Sequence, residues 1–291
     1  MYTYKIKKFL IVFLSLWTLS FYAQDDLLDE LDKETKSDTK YSFPAFKAMQ
    51  IGNLQSTKIA EKGDLYLIVA HRFGSIKGGV EEFFGLDQAN TKIQLAYSFW
   101  KGVQLSLSRD SFEKTYSGTA KVGVAKQSNT FPLNIVAYGS ADINTEIKKA
   151  NYPNLKFGDR MSYTMQLLLS RRISKKLSLE FAPSFVRQNL QDINLSGGRS
   201  HNQFLAAIGG RMKVSKRMSI NMEYAYNFSK HINSVYNNPL TLGVAIETGG
   251  HVFQLLFSNA RGSNDSAFLT KARGDWSKGE ISFGFNVVRV F

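Results

Sequence analysis

The sequence contains no cysteine among its 291 residues. This absence excludes disulfide bonds, thiolate zinc sites, iron–sulfur clusters and a cysteine nucleophile. It also excludes a lipoprotein anchor, which needs a cysteine at the cleavage point. Proline is scarce, with five residues, whereas 22 glycines are present and 13% of the residues are aromatic. Such a composition excludes a disordered or collagen-like chain and suits a fold of many short strands and turns.

Long apolar runs are also lacking, with one exception near the N-terminus, from Phe9 to Tyr22. A basic start precedes this run, and Ala23 and a polar stretch follow it. The pattern predicts a secretory signal peptide over residues 1–23. An N-terminal membrane anchor is the alternative, but the run is shorter than the roughly 20 residues that a spanning helix needs. For an exported chain, the net charge of +13 does not point to nucleic acid as a partner.

Residues 24–62 begin with a strongly charged stretch and then become irregular. We predict a periplasmic N-terminal tail and lead-in there, partly disordered, which is also a candidate plug. Residues 63–291 form the remaining domain. In that domain the hydrophobic period is two, as in Met218, Ile220 and Met222, which alternate with polar or small residues. Because successive side chains of a strand face opposite ways, each such segment has one apolar face.

About twelve segments show this alternation, and most have the length that a tilted strand needs to cross a bilayer. They cover approximately residues 64–73, 92–100, 103–110, 114–125, 130–142, 162–173, 177–187, 202–214, 218–229, 239–247, 251–259 and 279–291.

Short and long connections alternate between these segments, and only 111–113 is short where a long one is expected. In an up-and-down meander, every second connection lies at the same end. The alternation therefore predicts an all-β, transmembrane, up-and-down antiparallel barrel with an even number of strands, with both termini in the periplasm and the long loops outside. A secreted β-sandwich is the alternative. The Gly, Ala and Ser residues of the non-apolar face favour the interior of a closed barrel instead.

The chain ends on Phe291, within the last predicted strand. A terminal aromatic residue on an amphipathic strand is typical of the signal read by the barrel-assembly machinery. We therefore expect that machinery and outer-membrane lipid as partners, and localisation in the outer membrane after export.

Several strings of the chain are similar to one known family, from about Phe46 to Phe291. The chain resembles the bacterial β-barrel family called domain of unknown function 5777 (DUF5777), although Ser117 stands where Asp is expected. The resemblance implies an outer-membrane-type barrel and no established activity, so it assigns no functional residues. The strings are His71–Gly74, Phe84–Ala89, Lys114–Tyr116, Ile246–Gln254, Gly274–Trp276 and Phe283–Asn286.

Chemistry-bearing motifs are missing from the sequence. The four histidines have no metal-ligand spacing, and neither a nucleophile elbow nor a phosphate-binding loop is present. We therefore predict no catalytic, cofactor-binding or metal-binding residues and no enzymatic activity. An outer-membrane lipid-modifying enzyme is retained as the weaker alternative.

Charged residues on the polar face are the candidate functional residues. By parity, eight of them point into the lumen, with an excess of basic groups that favours anions. The first hypothesis is a narrow porin-like channel for small, including anionic, solutes. The alternative is a plugged structural or binding barrel that presents its outer loops or periplasmic tail to a partner. The eight are Arg72, Lys121, Arg172, Glu180, Arg211, Lys213, Glu223 and Glu247.

Loop 74–91 carries apolar residues at helical spacing and is a candidate constriction or lid, with an exposed surface turn as the alternative. The residues concerned are Glu81, Glu82, Phe83, Phe84 and Asp87.

Overall fold

A computed structural model describes residues 44–191 and 200–291. These residues form one closed barrel in which each strand pairs with its neighbours in sequence, and the first strand pairs with the last. All pairings are antiparallel. The prediction of a closed up-and-down barrel is therefore confirmed. The predicted signal peptide and the first part of the predicted tail lie outside the described residues.

The barrel has twelve strands and five short helical segments. The strands are β1 (Leu65–Ser75), β2 (Ala89–Trp100), β3 (Val103–Asp110), β4 (Thr115–Ala125), β5 (Asn134–Asn144), β6 (Met161–Arg172), β7 (Leu177–Gln188), β8 (Asn202–Lys213), β9 (Met218–Asn227), β10 (Leu240–Thr248), β11 (His251–Ser258) and β12 (Ser282–Val290). Helix α1 spans Asp265–Thr270, and 3-10 segments span Ile76–Gly85, Phe112–Lys114, Gly158–Arg160 and Trp276–Lys278.

The outer wall of the barrel is apolar and the inner wall is polar, as the period of two predicts. On β3, for example, Leu105 and Leu107 are exposed, whereas Gln104 and Ser106 are buried. Leu107 is 74% exposed at the middle of its strand. An outward apolar band of this kind is what hydrocarbon requires of a membrane barrel. No helix among the described residues is long and apolar enough to cross a membrane.

Connections of different length lie at the two ends. The short-connection end holds 101–102, 126–133, 173–176, 214–217 and 249–250, together with the start of β1 and the end of β12. The long-loop end holds 76–88, 111–114, 145–160, 189–191, 200–201, 228–239 and 259–281. The connection after β4 is longer than predicted, because β5 begins only at Asn134. Pro132, which precedes it, has no N–H to donate to a ladder.

The interior is filled by chain rather than left open. Residues 44–62, here called the plug segment, lie before β1, and their apolar side chains Phe46, Ile51 and Leu54 are buried. The loop of residues 259–274, here called the lumenal loop, includes α1, all of whose residues are buried. Side chains of both segments share one apolar cluster with inward residues of the strands.

Candidate functional site

The eight predicted lumenal charges all lie on the inward parity of their strands. Arg72, Lys121, Glu180, Arg211 and Glu223 are buried, whereas Arg172, Lys213 and Glu247 are partly exposed near the short-connection end. They do not line an open passage, because the plug segment lies among them and several bond to it. The site is therefore best described as an occupied lumen.

Asn53 of the plug segment lies between Arg72 and Glu223. Nε and one terminal nitrogen of Arg72 donate to the Asn53 Oδ1 atom at 3.0 and 2.8 Å. The Asn53 side-chain nitrogen donates to Oγ1 of Thr241 at 3.0 Å. The same arginine also donates to the side-chain oxygen of Asn286 at 2.8 Å. One asparagine of the plug segment thus links strands β1, β9, β10 and β12 through two buried charges.

Glu223 binds the backbone of the plug segment directly. Its two carboxylate oxygens accept the backbone N–H groups of Asn53 and Leu54 at 2.7 and 2.9 Å. Gly52 lies against the same carboxylate, and a Cβ there would be 3.1 Å from Oε1 of Glu223. A larger residue at this position would therefore crowd the carboxylate.

Lys121 binds carbonyl oxygens of the plug segment, whereas Glu223 binds its N–H groups. Its Nζ atom donates to the carbonyl oxygens of Met49 and Ser56, both at 2.9 Å, and to that of Lys58 at 3.3 Å. Glu180 accepts the backbone N–H of Thr57 at 3.0 Å. Buried charges need such partners, because an unpaired charge in a dry interior is very costly.

Amide side chains of the wall complete these contacts. Gln254 donates to the carbonyl oxygens of Gln50 and Ile51 at 3.1 and 2.9 Å. Asn286 donates to the carbonyl oxygen of Gly52 at 2.7 Å. The irregular backbone of the plug segment thereby receives the hydrogen bonds that a strand would find in its ladder.

A salt-bridge cluster lies where the plug segment enters the barrel. Glu247 is 3.2 Å from Arg211 and 3.4 Å from Lys47 of the plug segment. Arg172 lies at the same end and donates to the carbonyl of Ser174 at 3.4 Å. Lys213 forms no salt bridge with any described residue. The basic excess predicted for the lumen is therefore concentrated at the short-connection end.

The lumenal loop closes the barrel from the other end. One carboxylate oxygen of Asp110 accepts the backbone N–H groups of Ser263 and Asn264, both at 3.0 Å. Lys92 donates to the carbonyl of Ser263 at 3.1 Å. The side chain of Asn264 caps α1 by accepting the N–H of Ala267 at 2.9 Å. Strand side chains thus fix this loop inside the lumen in the same way as the plug segment.

Loop 74–91 was the candidate constriction, and the structure places it elsewhere. Glu81, Glu82, Phe83, Phe84 and Asp87 are all exposed. The helical spacing does not hold, because Phe83 and Phe84 adopt positive φ values of 45° and 54° and interrupt the 3-10 segment. The loop lies at the rim, and of the five residues only Glu82 lines a cavity there. The lumenal loop occupies the interior instead.

Two cavities open at the long-loop end, with volumes of about 840 and 760 Å³. Their shared lining consists of Glu113, Glu146, Lys271 and Arg273. Lys271 donates to both carboxylate oxygens of Glu113, at 2.6 and 2.7 Å. Within residues 44–191 and 200–291, no cluster of histidine and carboxylate side chains could hold a metal ion.

Sequence reasoning did not identify the lumenal loop. A local signal was available, because Asn264 precedes a short run, Asp265–Thr270, that contains Ala, Phe and Leu, which is the pattern of a capped helical turn. Inward Asp110 and Asp142 were a second signal, since both are buried acids that need donors.

A family model described as a membrane-bound β-barrel domain, DUF5777, matches residues 46–291. This chain belongs to the DUF5777 family. The match covers every strand of the barrel, the lumenal loop and nearly the whole plug segment. The earlier resemblance is thereby confirmed. No curated protein matches the sequence.

Solved structures similar to this DUF5777 barrel include one porin, one outer membrane channel and one outer membrane phospholipase. The NanC porin has a TM-score of 0.48 at 9% identity, over 78% of this chain and 98% of its own. The COG4313 outer membrane channel from Pseudomonas putida F1 has a TM-score of 0.48 at 10% identity, over 80% of this chain and 97% of its own. Outer membrane phospholipase A from Escherichia coli has a TM-score of 0.42 at 13% identity, over 78% of this chain and 89% of its own. Similarity at this level does not identify an activity.

Proposed function

We propose that this protein is an outer-membrane barrel that is closed at rest by its own chain and binds its ligand or partner at the long-loop end. One observation supports the proposal most strongly. The buried charges predicted to line a channel take their partners from the plug segment or are held in place around it, as for Lys121 and Glu223. Among the hypotheses from sequence, this observation favours the plugged binding barrel over the open porin.

The energetics of the lumen support a closed resting state. Hydrogen bonds to charged groups contribute roughly 1.5–3 kcal/mol each, and leaving a buried charge unpaired costs more. Withdrawing the plug segment breaks the contacts of Arg72, Lys121, Glu180 and Glu223 together. Water that enters the lumen would replace only part of the lost hydrogen-bond energy. Spontaneous opening should therefore be rare without a ligand or partner that favours the open state.

The orientation that we propose places the short-connection end in the periplasm and the long loops outside. The absence of cysteine makes this testable by single-site labelling. A Ser277→Cys variant carries its thiol at the long-loop end, and a Lys175→Cys variant carries it at the short-connection end. With intact cells and a membrane-impermeant maleimide, we expect labelling of the first variant alone. The second should be labelled only after the outer membrane is permeabilised, and the reverse pattern would overturn the orientation.

Planar-bilayer conductance tests the closed state. The purified, folded full chain should show no steady single-channel steps. Stable steps from the unmodified protein would instead support the porin-like channel for small solutes and overturn the plugged barrel. Heat-modifiable migration on a gel verifies that the inserted protein is folded, so that an absence of steps cannot result from denatured protein.

A further inference from the structure

The larger cavity at the long-loop end, here called the outer cavity, has a volume of about 840 Å³. Pockets for small ligands have roughly 300–1,000 Å³. Its wall combines the rim of β1 with the two ends of the lumenal loop. Its charged lining residues are Lys77, Glu82, Glu113, Glu146, Arg261, Lys271, Arg273 and Glu280.

Two ion pairs account for half of these charges. Lys77 is 2.8 Å from Glu280, and Lys271 is 2.6 Å from Glu113. The hydrogen bond from Lys77 holds the pKa of Glu280 below its ordinary value. Within each pair, the two opposite charges neutralise each other. Recognition of a charged ligand must therefore come from the remaining four groups.

Arg261 is the remaining cation without a compensating group. It forms no salt bridge with a described residue, and its Nε atom is buried without a hydrogen-bond acceptor. Burial lowers the pKa of this guanidinium. The other arginine of the cavity, Arg273, lies over the ring of Tyr236 at 5.7 Å. Arg261 lines the outer cavity and has no carboxylate partner among the described residues, so its guanidinium is suited to pair with the carboxylate of a ligand in the cavity.

Glu82 and Glu146 are the remaining anions. Neither carboxylate forms a salt bridge or side-chain hydrogen bond with a described residue. The Glu82 carboxylate lies against Gly78, where a Cβ would be 2.5 Å from Oε2. These two acids make the outer cavity unfavourable for a polyanion, and Arg261 makes it unfavourable for a simple cation.

We propose that the outer cavity binds a small zwitterion of the amino-acid or short-peptide type. Its carboxylate pairs with Arg261, and its ammonium group faces Glu82 or Glu146. This deepens the proposed function, since it gives the chemical class of the ligand at the long-loop end. The cavity volume accommodates a peptide of a few residues.

Calorimetric titration of the folded full-length barrel in detergent micelles tests the proposal, with alanyl-alanine as the probe. We expect measurable binding that Arg261→Gln weakens at least tenfold, as loss of a charged hydrogen bond implies. Arg261→Lys retains the charge but not the planar fork of donors. Its affinity for alanyl-alanine should lie between those of the unmodified protein and Arg261→Gln. Lys175→Gln makes the same change of charge at the opposite end and should leave binding unchanged.

Two blocked probes separate the two ends of the ligand. N-acetyl-alanyl-alanine lacks the ammonium group and alanyl-alanine amide lacks the carboxylate, and both should bind more weakly than alanyl-alanine. If the acetylated peptide binds as well, the site recognises anions only and the zwitterion proposal is wrong. No binding of alanyl-alanine, or equal binding by Arg261→Gln, also overturns it. Conductance of the unmodified barrel reports separately on the closed state, so the two proposals can fail independently.

Discussion

Gln55 donates a hydrogen bond of 2.9 Å from its side-chain nitrogen to one carboxylate oxygen of Asp265. Gln55 belongs to the plug segment and Asp265 begins α1 in the lumenal loop. The bond therefore joins the chain that enters from the short-connection end to the chain that enters from the long-loop end. The other carboxylate oxygen of Asp265 accepts the hydroxyl of Tyr138 on β5. The plug segment and the lumenal loop are thus in direct contact inside the barrel.

This contact should appear as coupling between the two residues. In a double-mutant cycle with Gln55→Ala and Asp265→Asn, we expect an interaction free energy of about 1 kcal/mol in the free energy of unfolding. Urea unfolding in micelles measures it. The pair Gln191→Ala and Asp265→Asn is the control, because Gln191 bonds to the carbonyl of Ser200 instead. Additive effects of Gln55→Ala and Asp265→Asn would show that the two inserted segments are independent.

Lys121→Met should loosen the plug segment. The substitution removes the lysine donor from three carbonyl oxygens of that segment, of which the Met49 oxygen keeps the backbone N–H of Ser56 at 3.0 Å. Each buried group that is left unpaired costs roughly 1–3 kcal/mol. We expect brief conductance steps in planar bilayers and faster efflux of a small solute from liposomes. Lys62→Met, at the exposed last residue of the plug segment, is the matched control and should stay closed. Equal behaviour of the two variants would contradict the role of Lys121.

Glu223→Gln should expose two backbone amides to exchange. The amide side chain offers one acceptor oxygen where the carboxylate offers two, so Asn53 and Leu54 compete for it. We expect hydrogen exchange at one of these two amides to accelerate by about tenfold or more, as loss of one charged hydrogen bond implies. Glu81→Gln, at the exposed rim loop, should leave exchange in the plug segment unchanged. Unaltered protection of both amides would contradict the role of Glu223 as their acceptor.

Gly209→Val should displace the plug segment sterically. Gly209 faces the lumen, and a Cβ there would collide with Cδ1 of Ile51. Gly139→Val is the matched control, because Gly139 faces outward and a Cβ there would meet only the Thr164 carbonyl oxygen, at 3.9 Å. We expect faster proteolysis within residues 44–62 for the first variant only. Identical cleavage patterns would mean that the lumen has room that the structure does not show.

Leu107→Arg should weaken membrane insertion. Leu107 faces outward at the middle of β3 and is 74% exposed, and an arginine at the centre of the hydrocarbon costs about 2–4 kcal/mol. Phe83→Arg, at an exposed position of the rim loop, should cost little. Folding yield into lipid vesicles compares the two. Equal yields would show that hydrocarbon does not cover β3.

The pattern of the strands was predictable from sequence because each alternation is local. Segments such as 103–110 and 218–229 show their apolar face without reference to any partner, and the observed β3 and β9 agree to within two residues. Parity also placed the eight candidate charges on the inner wall, because a strand leaves its side chains only two directions. The ends of β5 and β12 were less accurate, since Pro132 and the turn at Gly279 end pairing by backbone geometry.

The partners of the inward charges could not be predicted from the sequence. Parity gives the same inward direction to Lys121 whether it meets water, a solute or the carbonyl of Met49. Residues 44–62 have no period that predicts a structure, because irregular chain takes its hydrogen bonds from whatever surrounds it. Loop 74–91 is only a candidate constriction from sequence, with a surface turn as the alternative, for a related reason. Helical spacing of apolar residues is a local property, whereas entry into the lumen depends on distant acids such as Asp110.

The sequence by itself determined a closed, twelve-stranded, membrane-facing barrel with its charges inside, because side-chain direction and apolar alternation are fixed residue by residue along the chain. Only the tertiary structure decided that the interior is filled. Contacts such as Asn53 with Glu223 join residues 170 positions apart, and no local preference specifies which polar groups will meet at such separation.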